Sequence, residues 1–355
     1  MNLKLSEVLK LGLNSRTYFI ADIAANHDGD LNRAIKLIEL AAKSGANAAK
    51  FQNFRAETIV SSRGFAELGQ KISHQAKWEK DVVDVYKDAE LPVEWTDRLR
   101  EACKKFNIEY FTAPYDLELI DYFATKMDYF KVGSGDITWR ESLESMAATK
   151  LPIIVATGAS NISEVEQAVR IVNSKNKNYV LMQCNTNYTG DLGNLNFLNL
   201  NVITQYSNLF PDAVLGLSDH SHGFVSVLGA VALGARVIEK HFTDDTERIG
   251  PDHGFSLNPD AWAEMVRLTR DLENCLGDGK KKVEENEIEA RIVQRRGLRF
   301  SKNLEAGSQI RKSDVMALRP CPEDAISPFE IDKVLGRKIR QDVEFDQQIR
   351  WELLL

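Results

Sequence analysis

The stretch "AVLGLSDHSHGFVSVLGAVALGARVIEKH", residues 213–241, decides how the chain is read. Two short apolar runs, "AVLGLS" and "ARVIEKH", have the length and β-branched content of buried strands, and a helix-like segment separates them. Each run leads to a histidine, His220 just beyond the first and His241 at the end of the second. Working outward, the same alternation recurs through "TYFIADI", "ANAAKFQ", "IEYFTA", "DYFKVG", "LPIIVAT" and "NYVLMQC", with amphipathic segments such as "LNRAIKLIELAAKSG" and "ISEVEQAVRIVNS" between them. The first of these segments ends at a Gly that suits a helix C-cap. Eight βα units within about 275 residues predict an α/β fold of the (β/α)8, or TIM, barrel type, because a doubly wound sheet usually has fewer strands.

A chain of 355 residues leaves room for such a barrel and one small module. We expect a barrel over 1–280, a charge-rich linker over 281–294 within "GDGKKKVEENEIEARIVQ", and a small, mostly β domain over 295–355, where strand-like pieces and turn residues alternate without a helical period. With 43% hydrophobic residues, 27% charged residues and a net charge of −7, the composition is globular and argues against a nucleic-acid binder, which needs clustered Lys and Arg. Cys103, Cys184, Cys275 and Cys321 form no CxxC pair and read as reduced thiols. No leader-like or spanning apolar run is visible, so the expected location is the cytoplasm, away from membranes. The second connection, from about Phe54 to Leu91, is the longest, and a long loop at that end of a barrel commonly covers an active site.

Catalytic groups of a barrel collect at the C-terminal ends of strands, and alternation decides which of them point inward. Lys50 and Gln52 share one face of the second strand, and Lys131 ends the fourth, followed by "GSGD". Two such lysines predict a concentrated positive charge suited to a phosphorylated or carboxylated substrate. Thr112, Ser134 and Thr157 lie at or just past strand ends, where hydroxyls partner phosphate. Asp22 sits inside the first strand and, if buried, needs a lysine or a sugar hydroxyl as partner, whereas Asp30 reads as a helix cap. His220 pairs in parity with Ser218, and His241 with Glu239. Inward histidines on adjacent strands suit one divalent metal with solvent or substrate oxygen completing it, and equally suit two hydrogen-bonded structural residues. His222 lies further into the loop, where alternation no longer fixes direction. Asp252, in "GPDHGFSLNP", leaves the same face of the barrel.

Taken together, "ANHDGDLNRAIKLIELAAKSGANAAKFQ", "FTAPYD", "FKVGSGDIT", "VATGAS", "LGLSDHSHG", "GAVALGARVIEKHFT" and "GPDHGFSLNPD" resemble the sialic acid (nonulosonate) synthases over nearly the whole chain. "NLEAGSQIRKSDVMALRP" and "ISPFEIDKVLGRKI" resemble that family's antifreeze-like SAF domain, a β-clip module. The resemblance implies condensation of phosphoenolpyruvate with an N-acylated amino sugar, N-acetylmannosamine or a 2,4-diacetamido-6-deoxy hexose, to a nine-carbon keto sugar acid and phosphate. It implies that Lys50, Gln52, Thr112, Lys131, Ser134 and Ser218 hold phosphoenolpyruvate, and that Asp22, Tyr188, Asp252 and Arg319 face the sugar. His220 and His241 are implied to bind a divalent cation, manganese above magnesium or cobalt. Lys50, Lys131 and Asp22 are the implied catalytic residues, and Arg319 is implied to act from the SAF domain of a partner subunit in a domain-swapped homodimer.

Departures from the family pattern cluster at the sugar. Asp22 stands where the family usually has Glu, which draws that contact back by about 1.5 Å, one carbon-carbon bond. "QCNTNYTGD" replaces the usual His-Cys-Thr pattern, with Thr189 in place of a proline. The competing readings are a legionaminic or pseudaminic acid synthase specifically, a phosphoenolpyruvate aldolase acting on a phosphorylated aldose, and a non-catalytic sugar- or ice-binding protein.

Overall fold

The computed structural model describes residues 2–72, 75, 76 and 78–355. It divides into two compact units, Met1–Gly277 and Asp278–Leu355. In the first, all eight expected strands form, as β1 (Tyr18–Asp22), β2 (Ala48–Asn53), β3 (Glu109–Pro114), β4 (Phe130–Val132), β5 (Ile153–Ala156), β6 (Tyr179–Cys184), β7 (Val214–Asp219) and β8 (Val237–His241). They run parallel in the order β3-β2-β1-β8-β7-β6-β5-β4. Strands β3 and β4 end the ladder and meet through side chains, with the Phe111 and Tyr129 ring centroids 4.7 Å apart, so the barrel is nearly closed. Nearly every strand residue is buried, as expected where lumen and helices cover both faces.

The helices follow from their caps and stripes. Asp30 accepts from the backbone N–H groups of Asn32 and Arg33 and starts helix Leu31–Lys43, which buries Ala34, Leu37, Ile38 and Ala41 along one face. Ser44 caps its end, and Gly45, one residue later, takes φ +93° to turn the chain into β2. Asn161 and Glu164 form a capping box on helix Ile162–Lys175, and Asn258 caps the closing helix Pro259–Leu276. Below the strands, the hydroxyl of Tyr18 and the N–H of Leu5 both donate to Glu109, fastening helix Leu5–Leu11 to the starts of β1 and β3.

The long connection after β2 carries helices Ala56–Ile59, Ser62–Glu67 and Val82–Asp88; Ser73, His74 and Lys77 of this stretch lie outside the described residues. The second unit contains an exposed helix, Ile288–Gln294, then an antiparallel pair, β9 (Gly297–Phe300) and β10 (Val315–Leu318), with isolated bridges such as Leu304 to Val343. Its own core gathers Leu298, Phe300, Ile310, Val334, Ile339 and Ile349. Among the described residues no helix is long and apolar enough to cross a membrane.

Trp262 is fully buried on the closing helix, edge-on to Phe242 just past β8. Trp262→Ala is therefore expected to cost about 3–5 kcal/mol in the urea transition of the barrel, read by tryptophan-independent circular dichroism.

Candidate active site

The C-terminal strand ends surround a cavity of about 410 Å³. Asp22, Lys50, Gln52, Lys131 and Ser134 line it together with Tyr188, Ser218, His220, His241 and Asp252. At its base is a buried charge network. Lys50 Nζ lies 2.6 Å from Asp22 Oδ2 and 3.3 Å from Glu239 Oε1, while Lys131 Nζ reaches the same Glu239 oxygen at 3.2 Å. Ser218 donates to that oxygen as well, and Glu239 Oε2 is buried without a hydrogen-bond partner. Gln52 and the N–H of Ala24 donate to Asp22.

This geometry corrects the expected concentration of positive charge: with all four groups ionised, Asp22 and Glu239 balance Lys50 and Lys131. Burial pushes the Glu239 carboxyl up, but Lys131 and Lys50 outweigh it and hold the group at about 2. Burial raises Asp22 despite Lys50, and Glu239 adds to the rise. For Lys50, burial is outweighed by Asp22 and Glu239 and the ammonium is favoured, whereas burial lowers Lys131. The lysine partner sought for Asp22 is thus Lys50, so the positive charge of the site depends on which carboxylates stay ionised.

Beside the network, the His220 and His241 rings lie 5.3 Å apart between centroids, with Tyr188 4.3 Å from His220 and Phe255 4.9 Å from His241. Burial drives His241 down to about 3, leaving a neutral imidazole, and its Nδ1 is buried without a hydrogen bond, 3.9 Å from Asp252. His220 is fixed through Nδ1 by the carbonyl of Asn185 at 3.2 Å. Burial opposes its protonation, but the neighbouring Cys184 outweighs that and raises it; reciprocally Cys184, though buried, is lowered to about 7 by His220. Among the described residues no group of three or more His, Cys, Asp and Glu side chains could hold a metal ion. What the pair offers is half a site: a neutral histidine with an orphaned nitrogen next to a second histidine, with solvent or substrate left to complete it.

Other candidates fall elsewhere. Thr112 is fully buried and donates to Asn53 at 2.7 Å, behind the cavity wall. Thr157 donates to the Met182 carbonyl. Arg319 is exposed in the second unit, and His222 is exposed. His253 is structural, held between Thr243 and Asp28. Ser134 accepts from the N–H of Gly158, where a Cβ would fall 1.8 Å from Thr186 Oγ1, so only glycine fits.

Sequence reasoning missed the role of Glu239, although its parity with His241 was visible, and missed Tyr115 and Asp136, which follow β3 and β4 into the cavity. It also gave no residues for the covering wall, formed by Phe54, Ile59, Trp78, Val85, Tyr86 and Ala89 of the β2 connection.

Fold and site together have the build of a barrel enzyme, with a buried charge network and two histidines at the strand ends. The chain belongs to the NeuB family, whose model matches residues 37–281, and a SAF domain model matches residues 295–355. It is 32% identical to N,N'-diacetyllegionaminic acid synthase of Legionella pneumophila subsp. pneumophila, over 99% of this chain and 98% of that protein. Pseudaminic acid synthase of Campylobacter jejuni subsp. jejuni is 30% identical over 95% of this chain and 96% of its own. The crystal structure of N-acetylneuraminic acid (sialic acid) synthetase from Leptospira borgpetersenii superposes with a TM-score of 0.69 at 32% identity, covering 78% of this chain and 90% of that one.

Burial raises Asp136, on the cavity wall, to about 6. Its folded state therefore holds a proton that the unfolded chain releases, so between about pH 4 and 6 stability falls as pH rises through this group. Urea midpoints of wild type and Asp136→Asn across that window should show the decline shrinking in the variant.

Proposed function

We propose that the chain is a nonulosonic acid synthase joining phosphoenolpyruvate to an N-acylated amino sugar, N-acetylmannosamine or a 2,4-diacetamido-6-deoxy hexose. The observation that carries this reading is the pair of strand-end lysines, held by one glutamate, beside two histidines in a single cavity. The relatives, named legionaminic, pseudaminic and N-acetylneuraminate-9-phosphate synthases, support it.

In this reading the barrel, 1–280, is catalytic, 281–294 is a linker and 295–355 is the SAF domain. Lys50 and Lys131 hold the phosphate and carboxylate of phosphoenolpyruvate, helped by Gln52, Ser134 and Ser218. Thr112 supports the ends of β2 and β3 from behind, through its bond to Asn53. His220 and His241 would hold a divalent cation, manganese by preference, which when bound supplies Lewis-acid polarisation of the sugar aldehyde. The enol carbon of phosphoenolpyruvate forms the new bond to the aldehyde carbon, water adds to the resulting cationic pyruvyl carbon, and phosphate leaves by carbon-oxygen cleavage. Asp22, Tyr188 and Asp252 face the sugar, and burial keeps the reacting carbons away from bulk water, so positioning and electrostatics supply most of the catalysis. Arg319 reaches the acylamino group from the partner of a domain-swapped homodimer.

Phosphate release from phosphoenolpyruvate should require manganese and one of these sugars, with the keto acid identified by mass spectrometry; sugar binding without turnover across the panel would sink the proposal. Lys131→Ala should reduce phosphate release about a hundred- to a thousandfold, because the anionic phosphoenolpyruvate and its leaving phosphate lose an ammonium partner. His220→Ala should remove the response to added manganese while circular dichroism stays unchanged.

Arg319→Ala should raise KM for the sugar and spare that for phosphoenolpyruvate. A fully active monomer in sedimentation experiments would refute the arrangement in trans.

A further inference from the structure

A second buried charge pair lies on the opposite face of the same two strands, outside the cavity. Asp219 ends β7 and is in register with Lys240 on β8. Their side chains are 0% exposed, with Lys240 Nζ 2.8 Å from Asp219 Oδ2. The pair also grips the backbone: Lys240 Nζ donates to the carbonyl of Ser221 at 2.6 Å, and the N–H of Ser221 donates to Asp219 Oδ1 at 3.0 Å. Ser226 donates to Asp219 Oδ2 at 2.6 Å, so the carboxylate is also tied to the start of helix Val225–Ala232.

His220 lies between Asp219 and Ser221, one residue beyond the β7 ladder, where no strand pairing fixes its direction. Both of its neighbours are held by the one ammonium group. That group belongs to Lys240, the residue bonded to His241. A buried ion pair is weak evidence for stability, since hydrophobic residues of similar size often serve as well. A pair that ties one histidine's loop to the other histidine's strand has another use.

We propose that Lys240 and Asp219 are positioning residues that set His220 at its distance and angle from His241, and so set the affinity of the histidine pair for a divalent cation. Neither side chain touches the cavity, so they act only through the backbone. The inference rests on the proposed metal role of the two histidines.

The test is Mn2+ binding to the full-length protein without substrates, followed by the electron paramagnetic resonance of free Mn2+. In Asp219→Asn with Lys240→Met, the two charges leave together, the amide can still accept from Ser221, and the thioether fills the lysine stem. The Kd for Mn2+ should rise about 10- to 100-fold, the range seen when partners behind metal ligands are removed. A Kd within twofold of wild type overturns the proposal. Leu99→Ala, a core truncation on helix Thr96–Lys105 ahead of β3, on the far side of the barrel, should lower the melting temperature and leave the Kd unchanged; an equal loss of Mn2+ there would show a general stability effect and overturn the proposal too. Should the double variant not fold, Ser226→Ala releases one bond to Asp219 and should weaken Mn2+ several-fold, with wild-type affinity again overturning the idea. Wild-type protein that takes up no Mn2+, or takes it up as well as His220→Ala does, overturns the metal reading itself, and the positioning role with it.

Discussion

Two ammonium groups buried at one end of a barrel must be neutralised where they stand, and this requirement organises the site. Glu239 meets it for both lysines through a single oxygen. Asp22 comes from β1, next to β8 in the sheet, and Lys50 from β2, one strand further, but Lys131 comes from β4 on the far side. The network therefore spans the lumen and ties opposite walls of the barrel. It is also matched: removing one carboxylate would strand a buried lysine, a far larger penalty than the net value of any one pair. The same matching bears on ligand binding, because an anion entering the cavity competes with Asp22 and Glu239 for the lysines.

Strands β7 and β8 show how period-two alternation lets one segment serve two purposes. Ser218, Glu239 and His241 face the cavity, while Asp219 and Lys240, one residue off, face the surrounding helices. Inward residues meet ligand and outward ones meet helix, so a register slip by one residue would exchange the two charge systems. The full ladder between the strands and the buried pair behind it both resist such a slip. The histidines at the strand ends inherit that rigidity although His220 itself lies past the ladder.

Much of this was legible because it follows from local pattern. Apolar runs with amphipathic segments between them fixed eight strands and their helices, and distance past the strand end separated His220 from His222, which share one parity. What stayed hidden depends on distances across the barrel. Nothing near Glu239 in sequence says that Lys131 lies 3.2 Å away, so two lysines read as surplus positive charge when carboxylates in fact balance them. Thr112 had the right position for a ligand contact, yet Asn53 on the neighbouring strand takes its hydroxyl. The covering wall was anticipated only as a long loop, because its cavity residues follow no single period. Lys240 and Asp219 look in sequence like two more strand-end charges, and only the sheet register shows that they face each other outside the lumen.

Asp22 joins these strands of argument. With one carbon fewer than the glutamate that the sequence resemblance leads one to expect, its carboxylate lies 2.6 Å from Lys50 and 3.5 Å from His241, within the network and against the histidine pair. A longer side chain starting from the same backbone would carry its charge further into the cavity. In this chain that reach is given up, and the less deeply buried carboxylates of the cavity are Asp136 and Asp252, whose charges act on Tyr86 of the β2 connection. On the proposed function, the end of the cavity that holds phosphoenolpyruvate is fixed by the buried charges, which cannot change singly. The sugar end is bordered by loop residues free of that constraint, and there a family can change its sugar while keeping its reaction.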